Sequence, residues 1–145
     1  MAASLTHPVF GDLRWKEKWS WWETKFCPAS GKWLDMIVNP GDDDPAVFVE
    51  RAAELYRRAM AAEREILHEA IQKGLLDLYD EWRRAGEPKL TAEELQNQLD
   101  LTFVCIDTVI PITLGYGLGD VFGGNSVNVK VNDKLRVRSV DLDGN

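Results

Sequence analysis

Histidine, the residue best suited to moving protons or holding a metal near neutral pH, occurs twice in this chain, at His7 and His68. Neither has a serine, a cysteine or a second histidine at a spacing that builds a triad or a ligand set. His68 falls within a helical pattern and reads as a surface residue. Carboxylates one helical turn apart occur at Glu65 and Glu69 and at Asp77 and Glu81, but Arg64, Lys73 and Arg84 alternate with them, as on a solvated helix face. General acid–base catalysis is not supported by this pattern, and no catalytic residue is assigned.

The segment Gly115-Tyr116-Gly117-Leu118-Gly119-Asp120 has the glycine spacing of a phosphate-cradling loop. Strand-forming residues follow it, however, and the helix N-terminus that would hold a phosphate is missing. The glycines read as a bulge or a tight corner. Tyr116, Asp120, Phe122 and Asn125 are then candidate partner contacts on or beside an exposed recognition loop. Asp42-Asp43-Asp44 precedes Pro45 and reads as a helix cap rather than a calcium site short of oxygen ligands. Asp141-Leu142-Asp143-Gly144-Asn145 begins like a calcium loop without the bidentate acid and reads as a frayed tail. No metal and no cofactor is expected.

Cys27 and Cys105 lie in strand-like apolar runs without a CxxC neighbour and are expected to be buried, reduced thiols. Of six tryptophans, Trp15, Trp19, Trp21, Trp22 and Trp33 fall in the N-terminal strand region. In an extended strand Trp19 and Trp21 share one face and Trp22 takes the other, so they cannot all enter one core. Those left outside could anchor a protein partner or stack on a ligand ring.

The elements that must position these residues are legible from pattern. At 145 residues, 45% hydrophobic and 28% charged, the chain is expected to form one domain. Residues 9–15, 19–27 and 32–38 read as three antiparallel strands, the last with Leu34, Met36 and Val38 on one buried face. Asp44 before Pro45 opens a helix whose apolar residues recur at three and four spacing to about residue 85. Two rows carry it, Phe48, Ala52, Leu55, Ala59, Ala62, Ile66 and Ala70, and Tyr56, Met60, Leu67, Ile71, Leu75, Leu78 and Trp82. A straight helix of that length is about 60 Å long, too long for a compact domain, so it must protrude or bend, with Gly74 the weak point. If it stays straight, Leu75, Leu78, Tyr79 and Trp82 form an exposed patch that supports a homodimer or a partner contact.

Thr91 and Glu94 form a capping box for a short second helix to about Gln98. Residues 101–110 read as a central strand covered on both faces, and 112–118 as the next strand. Val127, Val129 and Val131 alternate with polar residues in a terminal hairpin whose register needs a bulge or a three-residue loop setting Val131 opposite Leu135. The expected fold is α+β: a largely antiparallel sheet of three N-terminal and about four C-terminal strands packed on one long helix, plus the short one.

The pattern Phe10-Gly11-x-Leu13, a tryptophan-bearing strand, a long helix ending near Leu78-Tyr79, and Gly119-Asp120-x-Phe122 before the hairpin from Val127 to Val137 resembles a group of uncharacterised bacterial β-α-β domains. Some of these look like immunity proteins of toxin systems. The resemblance implies binding without catalysis. A net charge of −7 disfavours nucleic acid and acidic membranes and permits a basic protein partner. No stretch reaches the roughly 18 apolar residues of a membrane span, and residues 1–9 lack a leader pattern, so a cytoplasmic location is expected. The reading is a non-enzymatic, immunity-type binding protein. Two alternatives stay open: a small-ligand or carbohydrate-binding module using the tryptophan-rich strands, and an enzyme whose site assembles from residues distant in sequence.

Overall fold

A computed structural model describes residues 4–27, 32–83, 85–117 and 126–143. Its eight strands form a single sheet in chain order, β1 (Ser4–His7), β2 (Gly11–Lys16), β3 (Trp21–Phe26), β4 (Leu34–Asn39), β5 (Asp100–Asp107), β6 (Ile112–Gly117), β7 (Ser126–Val131) and β8 (Val137–Asp143). Every neighbouring pair is antiparallel except β4 and β5, which run parallel. Antiparallel neighbours can be joined by tight turns, whereas a parallel pair needs a crossover. All the described α-helices, α1 (Pro45–Ala61), α2 (Glu63–Ala70), α3 (Leu76–Trp82) and α4 (Ala92–Gln98), lie in that one crossover.

The strand split is therefore four and four rather than three and four. Ser4–His7, short and not patterned as a strand, is recruited by pairing with β2 through Leu5 and Leu13. The N-cap reading holds: Asp44 accepts from the Ala46 N–H with Pro45 in the first turn. So does the capping box of α4, in which Thr91 and Glu94 each accept the other's backbone N–H.

The single long helix is corrected. It breaks at Ala62 (φ −112°, ψ 12°), which carries no glycine or proline signal, and again in a π-helical turn over Ile71–Leu75 containing the non-helical Gly74. There the Leu76 N–H reaches back five residues to the Ile71 carbonyl, a widened turn that re-aims the following face. The bend at Gly74 was expected; the break at Ala62 was not. Bending returns Leu75 and Tyr79 to the core, and the Tyr79 hydroxyl donates to the Pro88 carbonyl at 2.8 Å. The proposed exposed patch at the helix end thus loses two of its members to the interior, Leu78 is half-buried, and the side chain of Trp82 lies outside the described part.

The core fills the space between one sheet face and the helices. Leu13, Trp22, Leu34, Met36, Val38, Val104, Ile106, Ile112, Leu114, Val127, Val129 and Val131 meet Phe48, Ala52, Tyr56, Ala59, Ile66, Leu67, Ile71 and Leu75. Burial of each large side chain contributes roughly 1.5–3 kcal/mol. Phe48 and Ile66 are fully buried, and Leu55 and Leu78 pack at the margin.

In the last hairpin the expected bulge is present, at Lys130 and Val131, but it sets Val131 opposite Val137. Leu135 instead sits at φ 61° in a turn closed by its N–H to the Asn132 carbonyl at 3.0 Å. This is the left-handed position of a type I turn with bulge, where glycine is usual.

Candidate functional site

Strand alternation assigns one face to the helices, and because a single crossover supplies every described helix, the opposite face carries none. Register reads that face directly. One row across it runs Arg14, Glu23, Ile37, Cys105, Thr113, Lys130 and Ser139; the next runs Lys25, Asp35, Phe103, Gly115, Asn128 and Asp141. Trp21 and Lys16 pair at the β2–β3 end. The expectation that β5 is covered on both faces is corrected: Val104 and Ile106 are buried, whereas Phe103 and Cys105 are half-buried.

Over β2–β5 the twisted face forms an open groove of about 960 Å³ whose lining includes Arg14, Lys16, Lys25, Trp33, Ile37 and Phe103. Its floor is apolar for a local reason. A Cβ on Gly115 would stand 2.8 Å from Phe103 Cδ1 and 3.0 Å from Phe103 Cβ, so the ring lies across β6 where only glycine admits it, an arrangement by which aromatics cover cross-strand glycines. Lys25 and Asp35 form an exposed pair at 3.7 Å. The Trp21 indole N–H donates to Glu23 at 2.8 Å. Burial, then the Asp107 carboxylate, pushes the Cys105 thiol up to about 12, which leaves it an inert apolar group. Cys27 is exposed, against the expectation that both thiols are buried, because it lies just past the end of β3.

Trp21 and Trp22 separate as alternation demands, whereas Trp19 lies in the turn over residues 17–20, where Ser20 has φ 56°, and not in the strand expected to begin at residue 19. Trp22 is in the core with Trp15 edge-on at 5.4 Å, while Trp19 and Trp21 stack at 5.4 Å and 14°. Trp19 is 53% exposed and Trp33 is 61% exposed. Exposed or half-buried aromatics thus stand at both ends of the groove strands.

Of the candidate contacts, Tyr116 is described and is buried, with 1% of its surface exposed. Its ring is core, and its hydroxyl donates to Glu63 Oε2 at 2.7 Å. Burial raises its ionisation well above the usual tyrosine range, with the Glu63 charge adding to the effect. Asp120, Phe122 and Asn125 lie outside the described residues, as does most of the glycine-rich stretch.

Two arrangements escaped the sequence. His7, at the end of β1, is 4% exposed. Its Nδ1 accepts the Val9 N–H at 3.1 Å and its Nε2 stands 3.0 Å from Glu50 of α1, a satisfied structural histidine. The second is a clamp in which Glu69 Oε1 accepts the Val137 N–H at 2.8 Å and Oε2 accepts Arg136 Nε at 2.9 Å and Nη2 at 2.6 Å. Lys73 donates to the Val137 carbonyl at 3.2 Å. Helix residues here satisfy the backbone of an edge strand. The Arg136 guanidinium first, then the Val137 N–H, holds the Glu69 carboxyl down to about 2. Among the described residues no three histidine, cysteine or carboxylate side chains are grouped as a metal would require, and no helix is long and apolar enough to cross a membrane.

Comparison with known proteins finds a match to the family model described as an uncharacterized protein conserved in bacteria (DUF2262), over residues 7–142. Neither a curated protein nor a solved structure matches the chain.

Proposed function

We propose, from the premise that the chain belongs to this uncharacterised bacterial family, that it is a non-enzymatic binding protein acting by surface contact. The helix-free sheet face over β2–β5 is the contact surface, and its occupant is a protein. One observation carries the reading: Trp19, Trp21, Trp33, Ile37, Phe103 and Arg14 gather on a face or at its margins where no described helix covers them. Trp and Arg are among the side chains most often found at binding hot spots. Covering and thereby neutralising a partner, as immunity-type proteins do, is the action this surface supports best.

The carbohydrate reading has less in its favour. Trp19, the exposed ring best placed for a sugar, already stacks on Trp21, and the Lys18 ammonium stands 4.8 Å from its centroid.

Affinity capture from a bacterial extract with matched variants tests the proposal. A protein retained by the wild type and by helix-side Arg57→Ala, but lost with Ile37→Arg, supports it. Retention by Ile37→Arg of everything the wild type binds refutes the assignment to this face.

A further inference from the structure

A second concavity, of about 680 Å³, lies where β4 and β5 begin, between the α1–α2 junction and the end of α4. It is separate from the sheet groove, and no described residue lines both. The Gln96 amide donates to the Arg64 carbonyl at 3.1 Å and ties its two helical walls together. Leu34, Met60, Leu99 and Leu101 make much of the lining apolar, and the volume falls within the roughly 300–1,000 Å³ of small-molecule sites.

Its polar groups are unequally satisfied. Both carboxylates are engaged: Glu63 accepts the Tyr116 hydroxyl at 2.7 Å, and Asp100 pairs with Lys32 at 2.8 Å. Of the four arginines on α1 and α2, Arg51 pairs with Asp43 at 3.1 Å and Arg58 donates to the Asp133 carbonyl at 3.3 Å. The other two, Arg57 and Arg64, line this cleft, and neither guanidinium has a partner among the described residues. Tyr56 lines it too. That residue is only 6% exposed, with Phe10 and Fhe26 rings edge-on to it at 5.5 Å and 5.7 Å, yet its hydroxyl has no hydrogen-bond partner among the described residues. Leaving a largely buried hydroxyl without a partner costs free energy, which an acceptor entering the cleft would restore. Burial raises the ionisation of Tyr56 above the usual tyrosine range, so at neutral pH the hydroxyl keeps the proton it would donate.

Three unengaged donor groups therefore share one largely apolar cleft. Three cations, Lys32, Arg57 and Arg64, against two carboxylates, Glu63 and Asp100, leave it one positive charge. A monoanion balances that charge, and a planar carboxylate matches the guanidinium fork. A dianionic phosphate would carry one charge beyond what the cleft balances, beside Glu63 and Asp100.

We propose that this cleft binds a small organic carboxylate with an aromatic or aliphatic body. Arg57, Arg64 and the Tyr56 hydroxyl hold its head group, and its body lies on Leu34, Met60, Leu99 and Leu101. The site goes beyond the sheet-face reading and does not depend on it.

Titration of the full chain with 2-naphthoate, followed by amide chemical shifts, tests it. Saturable shifts should centre on residues 56–64 and 99–101, with a dissociation constant of about 1 mM or below, the range open to so small a ligand. The neutral isostere 2-naphthamide should bind at least about tenfold more weakly, because it offers the guanidinium groups no charge. Arg57→Ala with Arg64→Ala, both exposed positions, should raise the constant at least about tenfold. Tyr56→Phe keeps the ring packing and breaks no hydrogen bond within the fold, and should raise it about tenfold. The absence of saturable shifts up to about 10 mM, equal binding of the amide, or indifference to both variants overturns the inference. Tighter binding of 2-naphthyl phosphate at the same residues overturns the carboxylate head group. Arg57→Ala separates the two sites: it should weaken naphthoate while leaving protein capture through the sheet face intact, and Ile37→Arg should do the reverse.

Discussion

Replacing Glu69 by glutamine should loosen the grip of α2 on the last strand, and should do so in a pH-dependent way. The carboxylate accepts the Val137 N–H at 2.8 Å and two guanidinium N–H groups of Arg136, with Lys73 at 3.3 Å. Its ionisation is thereby held at about 2 instead of the ordinary 4.5. At 1.36 kcal/mol per pH unit that displacement has an upper limit of roughly 3.4 kcal/mol. Arg136 is 66% exposed, so solvent and salt screen the pair, and we expect about 1–2 kcal/mol for Glu69→Gln at pH 7. Because the folded carboxylate is the more acidic one, its contribution is fully present above about pH 4.5 and is lost as pH falls towards 2. By about pH 3 more than half of it should be gone. Urea titrations of wild type and variant at pH 7 and pH 3 read the difference directly. A penalty below about 0.3 kcal/mol at pH 7, or one that does not shrink at pH 3, would refute the account of Glu69 as an ionised clamp. Glu69→Ala, which leaves the Val137 N–H without its acceptor, should cost more than Glu69→Gln.

Three further outcomes are expected. Gly115→Ala should cost about 1–3 kcal/mol by forcing Phe103 off β6, and in a Phe103→Ala background most of that penalty should vanish in a double-mutant cycle of thermal or urea stabilities. A thiol reagent should modify exposed Cys27 quickly and Cys105 only after denaturation, since a thiol pushed up to about 12 is roughly one part in 10,000 thiolate at pH 8; two fast thiols in the native protein would contradict the described burial. Thr91→Ala should cost about 1 kcal/mol by removing the side-chain acceptor of the α4 capping box, read as a lower urea midpoint with an unchanged slope.

Local physical signals made part of this protein legible in its sequence. The aspartate–proline start of α1, the Thr91–Glu94 box and the valine alternation of β7 depend on neighbours within a few residues, and each appears where the pattern puts it. The sheet as a predominantly antiparallel one, the inward row Leu34, Met36 and Val38, and the division of Trp21 and Trp22 between faces follow from the period of two in a strand. Fitting a long amphipathic pattern into a small domain required a bend, and Gly74 was its visible place.

What tertiary structure decided was everything set by contacts distant in the chain. Ser4–His7 is a strand only because β2 offers it an edge. Ala62 interrupts the helix without a residue-level signal, and Leu135 takes a left-handed turn because the bulge pairs Val131 with Val137. The clamp joins Glu69 to backbone sixty-eight residues away. The candidate surface was invisible for the same reason: alternation shows that a strand has two faces, but not which one the helices cover. The parallel pairing of β4 with β5 makes the described helices one crossover, and a single crossover shields one side of the sheet, leaving Ile37, Phe103 and the outer tryptophans on the side that no described helix covers.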